Sequence, residues 1–355
     1  MKALITAGGK GTRMRPLTFS TNKHFIPLAN KPLLFYAIEE IVDAGIREIG
    51  INYNPGQLEE IKSYLGNGER WGVNFTYILQ EAPLGLAHII KISEFFLGKD
   101  SFVMHLGDNI FYGGIKPLIE TFVQSGANAM ASIIHHKENS RMAVPYFDAQ
   151  GKLLRFEEKP ENPPNDFGGV GLYFFDHNVF KCFEGVDQIK PSNRGELEIV
   201  SPYNWLIDHG YKVEVHEFTG DWLDPGKFDD WIETNRFLLD HALQEGSETS
   251  LAPGVRVEGK VKIGKNCEIE NSSFQGPVIV GDNVIVKDST IGPYCSISDD
   301  CEITDANLEN TILEKAVKVC CPSKKITDSL IGDGTVIEEG SALSLFVGNQ
   351  CTIKI

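Results

Sequence analysis

The segment LITAGGKGTRMRPLT, residues 4–18, joins a short apolar run to a loop that is rich in glycine and arginine. Glycines let backbone N–H groups approach an anion closely, and arginines add positive charge and forked donors. The loop lacks the G-K-[ST] of a Walker loop, and Met14 stands where a dinucleotide fingerprint has its last glycine. The segment therefore predicts a strand that leads into a phosphate-binding loop of another kind. A simple glycine turn between a strand and a helix is the alternative.

The residues that follow alternate between patterns typical of strands and of helices. Apolar runs predict strands at residues 2–7, 48–54, 74–80 and 101–109. Helical spacing predicts helices at residues 31–45, 58–66 and 84–98. This order predicts an α/β domain with a Rossmann-like, mostly parallel sheet that helices cover on both faces. Ligands of such sheets bind at the carboxyl ends of strands, where the glycine loop and Asp108 both fall.

The pattern changes after about residue 250. Helical spacing ends, and segments such as VKIGKN (261–266) and VIVGDN (278–283) repeat apolar residues about every six positions, with Gly, Asn or Asp at the corners. Such a hexapeptide repeat predicts a left-handed parallel β-helix. We expect the α/β domain over 1–240, a linker over 241–250, and the β-helix over 251–355 with an end cap at 342–355.

Composition and charge exclude several classes of protein. The chain has 355 residues and a net charge of −16, which argues against nucleic acid as a partner because nucleic-acid binders normally carry a basic face. Its seven cysteines form no CxxC pair and no signal peptide is recognisable, so we expect reduced thiols and a cytoplasmic location. No apolar run is long enough to span a membrane, so no membrane partner is expected.

A series of motifs in chain order resembles the sugar nucleotidyltransferases, and the resemblance covers essentially the whole chain. The motifs are GGKGTRMRPLT (8–18), NKHFIPLANKPL (22–33), LQEAPLGLAH (79–88), LGDN (106–109), FEEKP (156–160), GGVGLYFFD (168–176), RGELEI (194–199) and WLDPGK (222–227). The chain is most similar to the long-form glucose-1-phosphate thymidylyltransferases, which carry a left-handed β-helix after the catalytic domain.

The resemblance implies a reaction in which a sugar 1-phosphate attacks the α-phosphorus of a nucleoside triphosphate and pyrophosphate leaves. Two polyanions must meet, so the reaction requires positive charge. By resemblance, the catalytic residues are Arg13, Lys23, Lys159, Asp108 and Asp224. The nucleotide would contact Gly8, Gly9, Gly11, Thr12, Gln80 and Gly85, and the sugar would contact Ala143, Glu158, Gly171, Tyr173 and Arg194.

The cofactor implied is Mg²⁺, held by Asp108 and Asp224, since hard cations that bridge phosphates prefer carboxylate oxygens. The alternative for Asp108 is a strand-end acid that caps the next turn, and Arg194 could simply order its loop. Glucose 1-phosphate and dTTP are the expected substrates. UTP and a different sugar 1-phosphate stay open.

Several positions depart from the family pattern. Pro225 replaces a threonine, Val200 and Ser201 replace a threonine and an acid, and Ala143 replaces a glycine. After Lys23, His24 and Phe25 replace the more common Gln-Leu pair. The triphosphate and metal residues are intact, so we expect the same reaction, and these departures are the reason that a different sugar stays open as the alternative.

Three other functions compete with this interpretation. A hexapeptide acyltransferase uses a histidine base, but the last histidine, His241, precedes the repeats. A glycosyltransferase usually carries an acid-x-acid motif, whereas Asn109 and Ile110 follow Asp108. A non-catalytic nucleotide-sugar binder would take up nucleotide and release no pyrophosphate. The repeats themselves predict association into a homo-oligomer, because solenoid faces commonly pack against copies.

Overall fold

The computed structural model describes residues 1–9 and 11–339. The chain divides into two compact units, Met1–Gly9 with Leu34–Leu223, and Lys10–Leu33 with Asp224–Ile355. Lys10 and residues 340–355 lie outside the described residues, and so does the predicted cap at 342–355. The domain boundaries predicted from the sequence stay predictions.

The helices follow the order expected from the sequence. They are α1 (Leu33–Asp43), α2 (Leu58–Leu65), α3 (Leu86–Ile92), α4 (Glu94–Leu97), α5 (Lys116–Ser125), α6 (Val200–Asp208) and α7 (Phe228–His241). Short 3-10 turns lie at Thr12–Met14, Leu17–Phe19, Lys23–Phe25, Glu69–Trp71, Asn139–Arg141 and His177–Phe183. Among the described residues, no helix combines the length and apolar character needed to cross a bilayer.

The strands before α7 belong to the α/β part and to one small hairpin. They are β1 (Lys2–Thr6), β2 (Pro27–Leu28), β3 (Lys31–Pro32), β4 (Glu48–Tyr53), β5 (Asn74–Leu79), β6 (Phe102–Leu106), β7 (Ile110–Tyr112), β8 (Ala129–His135), β9 (Ala143–Phe147), β10 (Leu153–Glu158), β11 (Phe167–Phe175), β12 (Val213–Glu217) and β13 (Asp221–Leu223). The predicted strands and helices of the first 109 residues are all confirmed within a few residues.

The strands after α7 have two or three residues each, except for two strands that have seven. They are β14 (Gly246–Ser247), β15 (Arg256–Glu258), β16 (Val261–Ile263), β17 (Glu268–Glu270), β18 (Ser273–Gln275), β19 (Val278–Val280), β20 (Ile285–Lys287), β21 (Thr290–Ile291), β22 (Cys295–Ile297), β23 (Glu302–Thr304), β24 (Asn307–Leu313), β25 (Lys318–Cys320), β26 (Lys325–Ile331) and β27 (Val336–Glu338).

The main sheet of the first unit has the order β10-β9-β11-β6-β1-β4-β5. Strand β1 lies parallel to both β4 and β6, so that Ala3 pairs with Ile49 and with Val103. Strand β11 runs antiparallel to β6, β8 and β9, and β12 extends the sheet beside β8. The Rossmann-like sheet of the predicted fold class is confirmed, and β10 and β11 are the two strands that run opposite to the others within it.

Helices cover this sheet with apolar faces. In α1, Leu34, Ala37, Ile38 and Ile41 are fully buried, as their helical spacing predicts. The predicted helix at 84–98 is interrupted at Ser93, whose hydroxyl donates to the carbonyl of Ile89 at 2.7 Å. A serine that bonds back to the preceding turn competes with the helix, which explains why α3 and α4 are separate.

The chain from β14 to β27 winds into a parallel β-helix, as predicted. Val261 pairs with Val278 and Val278 with Cys295, so that one coil takes 17 residues, close to three hexapeptides. The coils stack in three strips, β16-β19-β22, β17-β20-β23-β25-β27 and β15-β18-β21, and the long strands β24 and β26 run from one strip into the next. We call this part the solenoid.

Asparagine and aspartate form the corners of the solenoid. Asn266, Asn283 and Asp300 follow one another at the same corner, with φ values of 54°, 57° and 60°. These residue types tolerate the left-handed conformation that a tight corner requires. The Asn283 amide donates to the Asp300 carboxylate at 3.0 Å, so the corner side chains also link successive coils.

Candidate active site

The carboxyl ends of β1 and β6 meet in the first unit. The Gly107 N–H donates to the Thr6 carbonyl at 3.0 Å, and a Cβ atom at Gly107 would lie 2.2 Å from that oxygen. Glycine is therefore required where β6 ends beside β1. This close approach places the half-buried Asp108 next to the start of the glycine loop, at the edge of the sheet where ligands bind.

The start of the glycine loop is held by a side chain from the neighbouring strand end. Gly9 has a φ of 123°, and the Gln57 amide donates to its carbonyl at 3.1 Å. This bond occupies an acceptor that would repel a phosphate. Gly8 packs against Asn54, whose Oδ1 atom would lie 2.9 Å from a Cβ atom at Gly8.

Asn109 links three of the sequence motifs. Its Oδ1 atom accepts a hydrogen bond from Trp222 Nε1 at 2.9 Å, and Trp222 lies on β13, which pairs with β7. A Cβ atom at Gly171 would lie 2.4 Å from the same oxygen. Gly171, predicted to contact the sugar, makes room for a buried asparagine. Sequence reasoning used Asn109 only to exclude a glycosyltransferase motif, and no local signal marks its contact with Gly171.

The amide of Gln80 is oriented by the helix that follows it. Gln80 is 5% exposed, and its Nε2 donates to the Gly85 carbonyl at 3.2 Å and lies 3.2 Å from His88 Nδ1. Burial and the charge of Lys91 lower the pKa of His88, which favours the neutral ring whose Nδ1 accepts. Both amide hydrogens of Gln80 are then used, so the carbonyl Oε1 is the atom left for a ligand.

This geometry adds an atom to the sequence-based expectation that Gln80 contacts the nucleotide, namely the acceptor Oε1. It also adds His88, which sequence reasoning missed although it ends the LQEAPLGLAH motif. A histidine at the third position of a helix carries no distinctive pattern of its own.

Gly85 is required by close backbone packing. Its φ is 95°, and a Cβ atom there would lie 2.4 Å from the Leu197 carbonyl oxygen. The Leu197 N–H donates to the Leu84 carbonyl at 2.7 Å, so the LQEAPLGLAH segment is tied to the RGELEI segment. Arg194, half exposed in that segment, lies 3.4 Å from Glu198. This ion pair fits the alternative in which Arg194 orders its loop.

The predicted sugar residues Ala143 and Glu158 are brought together. Ala143 on β9 pairs with Glu158 on β10 and with Gly169 on β11. Lys159 has a φ of 51°, and its ammonium lies 3.0 Å from the Glu158 carboxylate. A left-handed lysine is uncommon and is typical of functional sites.

Tyr173 is placed differently from these residues. It is 7% exposed and belongs to the hydrophobic core, where it pairs with Met104 and Ala131 on the strands beside it. Ala143 packs against the same core cluster, and the contact of Tyr173 with the sugar stays a prediction.

The second unit holds the rest of the glycine loop. Gly11 has a φ of 53°, and its carbonyl accepts from the Thr18 hydroxyl at 2.7 Å. Thr12 and Arg13 are exposed on the 3-10 turn that follows. A Cβ atom at Gly226 would lie 3.1 Å from an Arg13 guanidinium nitrogen. The absence of a side chain at Gly226 lets Arg13 lie against the WLDPGK motif, directly after the exposed Asp224.

Lys23 is nearly buried and lies over an aromatic ring. It is 7% exposed, and its Nζ is 6.0 Å from the ring centroid of Trp231, which is fully buried on α7. This is the distance at which a cation is attracted by the face of a ring. The Oδ1 atom of the preceding Asn22 accepts a hydrogen bond from the backbone N–H of His24 at 3.1 Å. The same oxygen lies 2.8 Å from Nδ1 of His24. His24, one of the departures from the family, thus helps to fix the Lys23 turn.

The acids fit a magnesium ion by donor type. Asp108 and Asp224 are strand-end carboxylates, and Mg²⁺ commonly takes one or two carboxylates together with water and phosphate oxygens. Within residues 1–9 and 11–339, no group of three or more His, Cys, Asp or Glu side chains is arranged to hold a metal.

Comparison with known proteins agrees with these features. The family model described as nucleotidyl transferase matches residues 2–241. A Streptomyces antibioticus protein named glucose-1-phosphate thymidylyltransferase is 39% identical over 361 aligned residues, which cover 100% of this chain and 99% of that protein. The low-salt glycan biosynthesis nucleotidyltransferase Agl11 of Haloferax volcanii is 36% identical over the full length of both chains.

A solved structure adds the fold. A candidate glucose-1-phosphate thymidylyltransferase from Bacillus anthracis, crystallised with sucrose, aligns with a TM-score of 0.62 and 33% identity. The alignment covers 67% of this chain and 94% of the Bacillus chain. From the family match, the full-length relatives and this fold, we conclude that the chain belongs to the nucleotidyl transferase family.

Proposed function

We propose that the protein transfers a thymidylyl group from dTTP to glucose 1-phosphate, giving a nucleoside-diphosphate sugar and pyrophosphate. The observation that carries the proposal is the pair of cations in the second unit. Arg13, which follows the glycine loop, is exposed beside Gly226, and Lys23, ten residues further along the chain, is held over Trp231. The names of the full-length relatives support dTTP and glucose 1-phosphate as substrates.

In this proposal the loop binds the triphosphate. Gly8, Gly9, Gly11 and Thr12 supply backbone donors, and Arg13 adds a charged fork. An oxygen of the sugar phosphate attacks the α-phosphorus, and the bond to the β-phosphate oxygen breaks. Lys23 then stabilises negative charge on the departing pyrophosphate, because a desolvated ammonium acts strongly on nearby charge.

The sugar phosphate is assigned to the first unit. Lys159 holds its phosphate, and Glu158 accepts from sugar hydroxyls beside Ala143. Gly171, Tyr173 and Arg194 complete the predicted set. Their placement supports an indirect contribution, since Gly171 makes room for Asn109, Tyr173 lies in the core and Arg194 pairs with Glu198.

Magnesium would be held by Asp108 and Asp224. When bound, the ion would neutralise phosphate charge and orient the triphosphate. The protein's own cations then have the smaller task of positioning two partly neutralised anions for in-line attack.

The base would be read by the Gln80 carbonyl. Its Oε1 can accept from the N3–H of a pyrimidine, since both Nε2 hydrogens have partners within the protein. Thymine and uracil both carry that N3–H, so UTP is the alternative nucleotide. A different sugar 1-phosphate is the second alternative, because Ala143, Val200, Ser201 and Pro225 depart from the family pattern.

We further propose the predicted organisation of the chain: a nucleotidyltransferase domain at 1–240, a linker at 241–250, and the β-helix domain from 251, assembled as a homo-oligomer in the cytoplasm. Free cysteines support a reducing compartment: burial raises the pKa of the Cys295 thiol to about 11, so it stays protonated. Light scattering on a gel-filtration column tests the assembly, and a monomer at micromolar concentration would contradict it.

The test of the function is pyrophosphate release with Mg²⁺. dTTP and UTP are each combined with the 1-phosphates of glucose, galactose and N-acetylglucosamine. We expect the fastest release with dTTP and glucose 1-phosphate. Faster release with UTP or another sugar would change the substrate and keep the reaction. Nucleotide binding without pyrophosphate from any pair would favour a non-catalytic binder.

A further inference from the structure

A two-residue turn after Lys23 adopts an unusual conformation. Strands β2 and β3 form a small hairpin, with Leu28 paired to Lys31. The turn residues Ala29 and Asn30 have φ values of 46° and 59°. Hairpin turns of this type normally use glycine or asparagine, because the left-handed region crowds a Cβ atom. Alanine at the first position therefore needs support from outside the hairpin.

That support comes from α7 and from the solenoid. The Ala29 N–H donates to Asn235 Oδ1 at 2.8 Å, and the Asn30 amide donates to the Ile297 carbonyl at 2.6 Å. Asn235 lies on α7 and is 1% exposed. Ile297 ends β22 of the solenoid. The two consecutive turn residues are thus each hydrogen-bonded to a different element of the same compact unit.

A serine of the solenoid completes the contact. Asn235 Oδ1 also accepts from the Ser296 hydroxyl at 2.8 Å, and Ser296 is fully buried. Ser296 pairs with Ile279 in the preceding coil and with Ile312 in the following one. A hydroxyl between two isoleucines is explained by its bond to Asn235, since an apolar side chain would otherwise be expected at this position.

The same hairpin is continuous with the Lys23 turn. The Ile26 N–H donates to the Lys23 carbonyl at 3.2 Å, and Trp231 Nε1 donates to the Pro27 carbonyl at 3.1 Å. Trp231 is also the ring over which Lys23 lies. A displacement of the hairpin would therefore be transmitted to Lys23 through only a few residues.

We propose that Asn235 and Ser296 are positioning residues for triphosphate binding, so that the solenoid sets the place of the Lys23 turn in addition to any role in assembly. This inference rests on the proposed role of Lys23 toward a nucleoside triphosphate. The solenoid acts through Asn235 on Ala29, and through the hairpin on Lys23. Neither Asn235 nor Ser296 contacts substrate in this account.

The experiment compares variants by calorimetric binding of dTTP with Mg²⁺ and by steady-state pyrophosphate release. UTP replaces dTTP if the wild-type protein turns over only UTP. The test variants are Asn235→Ala and Ser296→Ala. Ser296→Thr keeps the hydroxyl. Ser289→Ala is the matched control, because Ser289 is also buried in the solenoid and its hydroxyl donates to the Lys287 carbonyl, away from the hairpin.

We expect the Kd for dTTP to rise about five- to tenfold in Asn235→Ala and about two- to fivefold in Ser296→Ala, the loss expected for one or two hydrogen bonds. Ser296→Thr and Ser289→Ala should stay within about twofold of wild type, as should the KM for glucose 1-phosphate in every variant. A change in the Kd for dTTP without a change in the KM for glucose 1-phosphate indicates a positioning role. General destabilisation would change both constants.

The inference is overturned if Asn235→Ala and Ser296→Ala bind dTTP like wild type, even when they melt at a lower temperature. If Asn235→Ala does not fold, the comparison of the Kd for dTTP between Ser296→Ala and Ser296→Thr decides the question. A wild-type protein that binds dTTP and releases no pyrophosphate would overturn the proposed function alone, and the Kd comparison would still decide the inference. A wild-type protein that binds neither nucleotide overturns both.

Discussion

The Nδ1 atom of His88 lies 3.2 Å from Nε2 of Gln80, and this contact fixes which way the Gln80 amide faces. We expect His88→Phe to raise the KM for the nucleotide about three- to tenfold, because the amide loses the partner that orients it. The KM for the sugar phosphate should not change. Steady-state pyrophosphate release measures both constants, and an unchanged nucleotide KM would contradict the orienting role.

The same contact predicts a pH dependence. Burial and Lys91 lower the pKa of His88 from its usual 6.5, so the ring is neutral at pH 7 and gains a proton only in more acidic solution. A protonated Nδ1 cannot accept from Gln80. The nucleotide KM of wild type should thus be constant above pH 6.5 and rise as the pH falls below the lowered pKa of His88. His88→Asn keeps an acceptor that does not titrate, and should lose this rise; persistence of the rise would assign it to another group.

Gly171 and Asn109 predict a steric effect at a distance from the substrate. In Gly171→Ala the new Cβ atom would meet Asn109 Oδ1 at 2.4 Å and disturb its bond to Trp222. We expect kcat to fall by about tenfold or more and stability to drop by about 1–3 kcal/mol, the usual cost of overpacking. Gly169→Ala on the same strand, with its nearest neighbour at 3.2 Å, should be milder. If Gly171→Ala and Gly169→Ala lowered kcat and stability equally, the clash with Asn109 would not be the cause.

Substitutions at Lys23 test the proposed role of its charge in the reaction. Lys23→Met keeps most of the packing against Trp231 and removes the charge. We expect kcat to fall by about a hundredfold or more, as for the loss of a preorganised group that stabilises transition-state charge. Lys23→Arg keeps the charge, but its larger head must fit a site that is 7% exposed, so it should recover only part of the activity. Pyrophosphate release and a melting curve measure both variants; activity of Lys23→Met within fivefold of wild type would argue against the role.

Glu314 links the stability of the solenoid to pH. It is 5% exposed, and burial, with a further contribution from Asp333, raises its pKa to about 7. The folded state therefore keeps a proton that the unfolded chain releases above its own pKa of about 4.5. The contribution of Glu314 to the free energy of unfolding is therefore highest below pH 4.5 and falls by about 3 kcal/mol as the pH rises from 4.5 to above 7.

Glu314→Gln imitates the protonated side chain and should remove this dependence. We expect the variant to melt at a higher temperature than wild type at pH 8 and at a similar temperature at pH 4.5. Glu302→Gln is the exposed control, since its carboxylate pairs with Lys318 at the surface. Parallel melting curves for Glu314→Gln and wild type across the whole range would show that Glu314 is ionised in the folded protein.

The fold could be predicted where burial repeats at short range. Apolar runs marked β1, β4, β5 and β6, and the six-residue period marked the solenoid, because both patterns record which side chains face a core. The direction of β11 could not be predicted, since GGVGLYFF is equally apolar in a parallel or an antiparallel strand. The break at Ser93 depends on a single hydroxyl within an otherwise helical pattern.

The sequence predicted which residues belong to the candidate site better than it predicted which residues contact one another there. Motifs identified Arg13, Lys23, Asp108 and Gln80, but Asn109 beside Gly171 and Asn235 beside Ala29 join segments far apart in sequence. No local pattern encodes such contacts. Gly171 shows the consequence, because its resemblance to a sugar-binding position was clear while its closest neighbour in the fold is an asparagine.

Ser296 also determines how a repetitive surface is recognised. Coils of a solenoid are nearly equivalent, so a helix lying on them has no strong apolar reason to prefer one coil over the next. A slip of α7 by one coil would place Ile279 or Ile312 opposite Asn235 and leave its buried oxygen without the hydroxyl donor. An unsatisfied buried acceptor costs about 1–3 kcal/mol. The one serine between Ile279 and Ile312 therefore distinguishes a single coil of the solenoid from its two neighbours.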